Sequence, residues 1–261
     1  MNADRSALLW VAALGVEVRG SRLLHDITFD LRSGEIIALL GANGAGKSTL
    51  IAALAGEIGN HSGSITLDDK PLVAWSLESL AARRALNATE PAVPFALSVA
   101  DYVALGRPFD ATAVIAVTTA LTDTHATRWA TRDISTLSSG EQLRVQLARS
   151  LYQLGETPRC VWLLDEPCAH LDLAQKQFVL SLISRIAKQR QWGVIFSTHD
   201  PAEALHIADQ ALLLRVGAVV AMGAATEIIN AENLSRCYGV TVNRSIAFVG
   251  AVPDTVAKTV L

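Results

Sequence analysis

The chain has 261 residues and a formal net charge of −3, and this length fits one large domain or a core that carries a sub-domain. Hydrophobic residues make up 51% of the chain and charged residues 18%, which is typical of a globular protein and excludes a largely disordered one. The negative charge provides no overall attraction for nucleic acid, so a role in binding nucleic acid is disfavoured.

The sequence indicates no membrane-spanning or targeting segment. The longest apolar candidate, residues 216–225, is shorter than the roughly 18 residues that a spanning helix requires. Asp4 and Glu17 flank the apolar N-terminal patch, which continues into an alternating pattern typical of a strand, so we expect no signal peptide. The chain has three cysteines, and Cys160 lies in an apolar run that suits a buried thiol. We therefore expect no disulfide framework, and we expect the protein to reside in a reducing cytoplasm.

Apolar periodicity predicts the secondary structure in chain order. Alternating or continuously apolar runs predict strands at 8–18, 27–31, 36–40 and 63–67, and again within CVWLLDEP and GVIFSTHD. Helical patterns follow the glycine-rich turn before Lys47 and cover 77–86, much of 98–130, 173–190, 202–208 and 226–238. From residue 211 onward, short strands and turns return before the last helix.

Because buried strands alternate with helices, we predict an α/β fold with a mostly parallel core sheet and an antiparallel β sub-domain at its start. The helical region between two glycine-containing turns predicts an inserted α-helical sub-domain at about 89–156. The remaining residues, about 1–88 and 157–261, are then expected to form the core and the β sub-domain of the same single domain.

The stretch GANGAGKST, residues 41–49, matches the phosphate-binding loop pattern GxxxxGK[ST] at every fixed position. Its backbone N–H groups can surround a β-phosphate while Lys47 neutralises the β- and γ-oxygens. The Ser48 hydroxyl is expected to bind Mg²⁺, a hard cation. The residues expected to hold the nucleotide are Gly41, Ala42, Asn43, Gly44, Ala45, Gly46, Lys47, Ser48 and Thr49.

Two later buried strands end in residues suited to phosphate chemistry. Asp165 and Glu166 follow one strand, at the carboxyl edge where open α/β sheets bind ligands. We expect Asp165 to reach Mg²⁺ through its water shell and Glu166 to orient or deprotonate the attacking water. His199 follows the strand at 194–197 and is expected to hydrogen-bond near the γ-phosphate, although a lone histidine at a strand end is more often structural.

A second anion-binding pattern appears in TLSSGEQLRVQLARS, residues 136–150. Backbone N–H groups at a helix start suit a phosphate, with the hydroxyls of Ser138 and Ser139 beside them and no side chain at Gly140. This turn contains no lysine. The residues alone leave open what it binds.

The loop at Lys47, LSSGEQ, LLDEP, HLD at 170–172 and STHD around His199 occur in an order that resembles the ATP-binding subunits of ABC transporters, over nearly the whole chain. In that family two nucleotide-binding domains enclose two ATP molecules head to tail. The resemblance implies the ABC-type P-loop NTPase fold, ATP and Mg²⁺ as cofactors, and ATPase activity. It also implies contacts in trans with ATP from Ser138, Ser139, Gly140 and Asp172, which explains a cradle without a lysine.

Other stretches are similar to importer subunits for metal chelates, namely PLVAWS, VALGR, RVQLAR, HLDLAQ, VVAMGAATEII, ENL and YGVTV. The haem-type subunit is the nearest of these, and ferric-siderophore or cobalamin import is the alternative. The resemblance implies a homodimer at the cytoplasmic face of the plasma membrane. Its partners would be integral permease subunits and, indirectly, a periplasmic or extracellular substrate-binding protein, with no nucleic acid.

Three positions depart from the family pattern. Val18 stands where an aromatic ring usually stacks on adenine. At the position of the family's glutamine loop, the chain has Thr89 followed by Glu90. Neither side chain is a neutral amide with both a donor and an acceptor. A Glu90 carboxylate would bind Mg²⁺ but would repel the γ-phosphate. Ser139 replaces a glycine in the signature. We expect an active but slow ATPase, with an inactive subunit as the alternative.

Two other function classes stay open. A soluble ABC-type ATPase acting on nucleic acid is disfavoured by the short insert, the single phosphate loop and the acidic charge. A P-loop kinase would use Lys47 but would leave the LSSGEQ turn and Glu166 without a role.

Overall fold

The computed structural model describes residues 7–88, 96–108 and 110–242. The strands within these ranges form two sheets, one of four strands and one of six. Thr89 and Glu90, the residues at the predicted glutamine-loop position, lie outside the described residues.

The smaller sheet is antiparallel and contains the first strands of the chain. Strand β1 (Leu9–Val18) pairs with β2 (Ser21–Leu31) on one side and with β4 (His61–Leu67) on the other, and β5 (Lys70–Pro71) extends β4. The predicted antiparallel start is confirmed. β2 begins earlier than its apolar run, because its exposed first residues pair across the hairpin with the end of β1.

The larger sheet has the strand order β10-β9-β3-β8-β7-β6, and every neighbouring pair is parallel except β9 and β10. Its strands are β3 (Ile36–Leu40), β6 (Arg84–Asn87), β7 (Val161–Leu164), β8 (Gly193–Thr198), β9 (Gln210–Arg215) and β10 (Ala218–Ala224). The predicted mostly parallel core sheet is therefore confirmed.

The helices are α1 (Lys47–Leu54), α2 (Leu77–Ala81), α3 (Val99–Ala104), α4 (Ala113–Asp123), α5 (Ser139–Leu154), α6 (Leu173–Arg190), α7 (Pro201–Ile207), α8 (Ala225–Ile228) and α9 (Ala231–Tyr238). Helices α3 and α4 pack on α5, which also contacts β6. Within the described ranges, no helix combines the length and apolar character needed to cross a bilayer.

Two predicted helices are wrong in part. The helix predicted over 77–86 ends at Ala81, and Arg84–Asn87 instead forms the edge strand β6, parallel to β7. Pairing with a strand far away in sequence decides this short segment, which is too brief for periodicity to identify. The helix predicted over 226–238 is divided in two, because Asn230 caps α9 by accepting the N–H of Asn233.

The six-stranded sheet separates two hydrophobic cores. Along β3, Ile36, Ala38 and Leu40 face the core that contains α5 and α6, whereas Ile37 and Leu39 face the core shared with α1 and the antiparallel sheet. Successive side chains of a strand point to opposite faces. A sheet that is covered on both faces therefore requires continuously apolar strands, which explains the apolar runs read from the sequence.

Candidate functional site

The glycine-rich loop connects β3 to α1 at the carboxyl edge of the core sheet. Gly46 is the N-cap of α1 and has a φ of +106°, a left-handed conformation that favours glycine. At Gly41 a Cβ atom would lie 2.5 Å from the carbonyl oxygen of Leu214. The N–H of Gly217 donates to the oxygen of Ala45 at 2.8 Å, so the turn between β9 and β10 also supports the loop.

Lys47 lies beneath this loop and is only 5% exposed. Its Nζ donates to the carbonyl oxygens of Gly41 at 2.9 Å and Ala42 at 3.3 Å. The same atom lies 3.5 Å from Oε1 of Glu166. A buried ammonium group needs such oxygen partners, and they place Lys47 between the glycine-rich loop and the end of β7. Ser48 is exposed at the start of α1.

Ser197 joins the two acids that follow β7. Its hydroxyl donates to Oδ1 of Asp165 at 2.6 Å and accepts the N–H of Glu166 at 2.8 Å. Glu166 has a φ of +48°, which is uncommon for a residue other than glycine and is typical of functional turns. Sequence reasoning missed Ser197, and the available signal was a polar residue near the end of the apolar strand β8.

The backbone on either side of His199 is fixed by hydrogen bonds, while its side chain is exposed. The Thr198 hydroxyl donates to Oε2 of Glu203 at 2.6 Å and accepts the N–H of Asp200 at 3.0 Å. Lys176 donates to Oε1 of Glu203 at 2.7 Å, and this bond raises the pKa of Lys176. Glu203 is a second supporting residue that the sequence did not reveal.

We call these groups the phosphate site. Its members are the loop residues 41–49 together with Asp165, Glu166, Ser197 and His199. The parallel order of β3, β8 and β7 brings their carboxyl ends to one edge, so residues that are far apart in the chain meet there.

The signature residues lie at the start of α5. Ser138 is its N-cap: the Ser138 Oγ accepts the N–H of Glu141 at 3.4 Å, and the N–H of Ser138 donates to Oε2 of Glu141 at 2.9 Å. This capping box satisfies two backbone donors of the helix start. The N–H of Ser138 lowers the pKa of the Glu141 carboxyl group. An anion at this turn would therefore meet a carboxylate already in place.

Gly140 and Asp172 are connected through Gln175. A Cβ atom on Gly140 would lie 2.8 Å from the amide group of Gln175. Oδ1 of Asp172 accepts the N–H of Gln175 at 2.8 Å and caps α6. The signature turn and the start of α6 thus form one surface, which we call the signature surface and define as Ser138, Ser139, Gly140, Asp172 and Gln175.

The comparisons with known proteins agree with this arrangement. A family model described as ABC transporter matches residues 24–169. The chain belongs to the ABC transporter family. It is 39% identical to the hemin import ATP-binding protein HmuV of Escherichia coli O157:H7, over 85% of this chain and 88% of that protein. It is 38% identical to HmuV of Burkholderia pseudomallei (strain 1710b), over 90% of this chain and 94% of that protein.

Solved structures give the same result. One is described as a metal-chelate type ABC transporter in an inward-facing conformation; it has a TM-score of 0.75, is 30% identical and covers 89% of each chain. Another is cbiO1 from Clostridium perfringens, with a TM-score of 0.75 and 27% identity over 88% of this chain and 93% of that one. The predicted fold and the predicted ATPase activity are confirmed: the chain is an ATP-binding ABC ATPase.

Two departures from the ABC pattern acquire a structural context. Val18 is the last residue of β1 and is 43% exposed. It lies in the hairpin of β1 and β2, and Leu24 of β2 packs beside Gly46 of the glycine-rich loop. Ser139 is the first residue of α5 and has no positive φ. A serine in place of the usual glycine therefore causes no left-handed strain at this ABC signature.

Proposed function

We propose that this ABC ATPase energises the import of haem, or of a related iron chelate, through a membrane permease. The observation that carries the proposal is the 37–39% identity to hemin import ATP-binding proteins over most of the chain. The likeness to a metal-chelate type transporter supports the same class of substrate. Ferric-siderophore or cobalamin import is the alternative within this class.

In the proposed reaction the loop Gly41–Thr49 surrounds the phosphates and Lys47 neutralises the β- and γ-oxygens. Mg²⁺ fits the remaining donors, since the Ser48 hydroxyl and the Asp165 carboxylate supply hard oxygen ligands. Ser197 orients the Asp165 carboxylate through its 2.6 Å hydrogen bond. When bound, the ion neutralises charge that develops on the phosphate oxygens.

Glu166 is the proposed base and His199 the proposed contact of the γ-phosphate. The positive φ of Glu166 and the bond from its N–H to Ser197 fix the turn that presents this carboxylate near Lys47. A base must reach the water that it activates, and a fixed turn at the strand end supplies that position. The His199 side chain is exposed, and the Thr198 hydroxyl, which donates to Glu203 and accepts the N–H of Asp200, fixes the backbone on both sides of it.

The signature surface is the proposed second half of the ATP site, supplied by a second copy of the chain. Ser138, Ser139 and Asp172 are exposed, and the side-chain amide of Gln175 lies beside Gly140. Hydroxyl and N–H donors there would complete the shell of a phosphate whose charge the other copy's Lys47 and Mg²⁺ already neutralise. The proposed sub-domain, about 89–156, carries Ser138, Ser139 and Gly140, and these three residues move with it when the dimer closes, whereas Asp172 and Gln175 lie at the start of α6 in the core.

The proposed complex lies at the cytoplasmic face of the plasma membrane, where the ATPase dimer binds the permease peripherally. A periplasmic or extracellular substrate-binding protein acts on it through the permease.

The proposal includes the slow turnover that is expected from Thr89 and Glu90. The Thr89→Gln and Glu90→Gln variants should each be compared with the unaltered chain. An increase in steady-state turnover in either variant supports it, and no increase in both contradicts it.

The test is reconstitution of the full chain with the permease and binding protein encoded beside it. We expect ATPase stimulation and vesicle uptake with the haem-loaded binding protein, and neither with Glu166→Gln in the same vesicles. Parallel arms with a ferric siderophore and with cobalamin distinguish the alternatives. Stimulation by nucleic acid, without any response to the permease, would show that the class of function is wrong.

A further inference from the structure

A tyrosine near the end of the described chain contacts both parts of the phosphate site. Tyr238 is the last residue of α9, and its hydroxyl donates to the carbonyl oxygen of His199 at 3.2 Å. The N–H of Gly41 lowers the pKa of the same phenol, which lies on the side of the glycine-rich loop. One hydroxyl group therefore connects the first residue of the glycine-rich loop with the histidine that follows β8.

We propose that Tyr238 is a positioning residue, which sets the distance between His199 and the phosphate-binding loop during ATP hydrolysis. The inference rests on the proposed role of His199 at the γ-phosphate. It extends that role to a residue outside the motifs of the phosphate site.

Gly41 also binds the lysine of the loop. The N–H of Gly41 faces Tyr238, while its carbonyl oxygen accepts Lys47 Nζ at 2.9 Å. The Lys47 bond fixes the peptide that follows the Gly41 Cα, and the carbonyl oxygen of Leu214 restricts the backbone at Gly41 itself. Because a small misplacement of a reacting group lowers the rate strongly, a hydroxyl that fixes the loop relative to His199 affects the chemical step more than nucleotide affinity.

The helix that carries Tyr238 is firmly attached to the strand beneath the loop. Cys237 Sγ donates to the oxygen of Leu214 at 3.3 Å, and Arg215 donates to the oxygen of Arg236 at 2.7 Å. Leu214 is also the residue whose carbonyl oxygen restricts Gly41 to glycine. The phenol thus projects from an element that shares its support with the loop, which is what a positioning residue requires.

The phenol stays protonated throughout the physiological range. Burial raises the pKa of Tyr238 to about 12, and the N–H of Gly41 offsets only part of that rise. The hydroxyl can therefore donate to His199 and accept from Gly41 at the same time.

The experiment compares Tyr238→Phe, which keeps the ring and removes the hydroxyl, with the unaltered chain. We expect the kcat for ATP to fall about threefold to tenfold, the size of one lost hydrogen bond, with KM and nucleotide affinity changed less than about twofold. Tyr152→Phe is the matched control, because the buried Tyr152 hydroxyl has no hydrogen-bond partner in the described part of the chain. Thermal unfolding of both variants checks that the fold is retained.

The second measurement combines Tyr238→Phe with His199→Ala. If Tyr238 acts through His199, the double variant is no slower than His199→Ala alone. An unchanged kcat in Tyr238→Phe, or an additive loss in the double variant, overturns the inference. If His199→Ala itself leaves kcat unchanged, the proposed role of His199 fails, and the role of Tyr238 fails with it. The His199→Ala result therefore tells which of the two proposals is at fault.

Discussion

Nζ of Lys47 lies 3.5 Å from Oε1 of Glu166, which connects the glycine-rich loop directly to the turn after β7. Lys47 is buried and Glu166 is 26% exposed on its side chain. The γ-phosphate of ATP and the Glu166 carboxylate would thus compete for one ammonium group, and the two anions would repel each other. If Lys47 binds the γ-phosphate as proposed, nucleotide binding and the position of the proposed base are linked through this contact.

Glu166→Gln is expected to separate binding from hydrolysis. The amide removes the negative charge near Lys47 while keeping the size of the side chain, so ATP affinity should increase or stay the same. Loss of a general base should lower kcat by about 100- to 10,000-fold. Equilibrium titration with a fluorescent ATP analogue and steady-state ATPase assays measure both quantities. The control is Glu156→Gln, which changes an exposed carboxylate paired with Arg190. A turnover in Glu166→Gln above about a tenth of that of the unaltered chain would contradict the role of Glu166.

Ser197→Ala is expected to weaken the site for Mg²⁺. The variant removes the donor to Asp165 and the acceptor for the N–H of Glu166. A hydrogen bond to a charged group contributes about 1.5–3 kcal/mol, so turnover should fall about tenfold or more and the Mg²⁺ concentration at half-maximal activity should rise. The matched control is Ser150→Ala, which removes a buried hydroxyl bound to Asn87 at 2.6 Å. Equal effects of the two substitutions would mean that Ser197 is only structural.

Ser138→Arg is expected to abolish hydrolysis while leaving ATP binding to the monomer intact. A bulky cation at the signature surface blocks closure against the second copy, whereas the phosphate site that includes Lys47 remains unaltered. Ser138→Ala removes the hydroxyl without adding bulk or charge; the lost cap costs about 1 kcal/mol, and turnover should fall less than in Ser138→Arg because the surfaces can still close. Monomer binding is measured on dilute protein without hydrolysis. A loss of monomer binding in Ser138→Arg as severe as that in Lys47→Ala would show that the signature acts within one copy.

Val18→Tyr is expected to increase the affinity for ATP. The position is 43% exposed, and stacking of a ring on adenine adds about 0.5–1.5 kcal/mol, which corresponds to a gain of roughly two- to tenfold. The control is Val114→Tyr, at an exposed valine on α4. Nucleotide titration of the three proteins gives the result. If both tyrosine variants bind ATP as the unaltered chain does, Val18 is not beside the adenine.

The three buried cysteines predict how stability depends on pH. Burial raises the pKa of Cys160 to about 11, of Cys168 to about 12 and of Cys237 to about 11. An unfolded thiol titrates near about 8.5, so above that pH the unfolded chain binds fewer protons than the folded one. The contribution of each thiol is complete below about pH 8.5 and falls by up to about 1.4 kcal/mol per pH unit until the folded pKa is reached.

Denaturant unfolding between pH 8 and about pH 10.5 measures this slope, and Cys168→Ala is expected to reduce it. Thiol labelling at pH 8 supplies an independent check, since buried protonated thiols should react slowly until the chain unfolds. A slope that Cys168→Ala leaves unchanged, together with rapid labelling of the folded protein, would contradict the prediction.

Sequence by itself determined the features that depend on a few adjacent residues. The glycines of the loop at 41–46 reflect local backbone conformation and close approach, and the apolar runs of β3, β7 and β8 reflect burial on both faces of one sheet. The order of the motifs was enough to identify the family that the comparisons confirm.

Only the tertiary structure decided which distant residues meet. Arg84–Asn87 became a strand because β7 was available as its partner. Ser197 reached Asp165, Gln175 reached Gly140, and Tyr238 reached His199 because strand order and helix packing placed them together. No local pattern encodes such contacts, since their energy arises between segments that are separated by many residues and depends on the order of strands in the sheet.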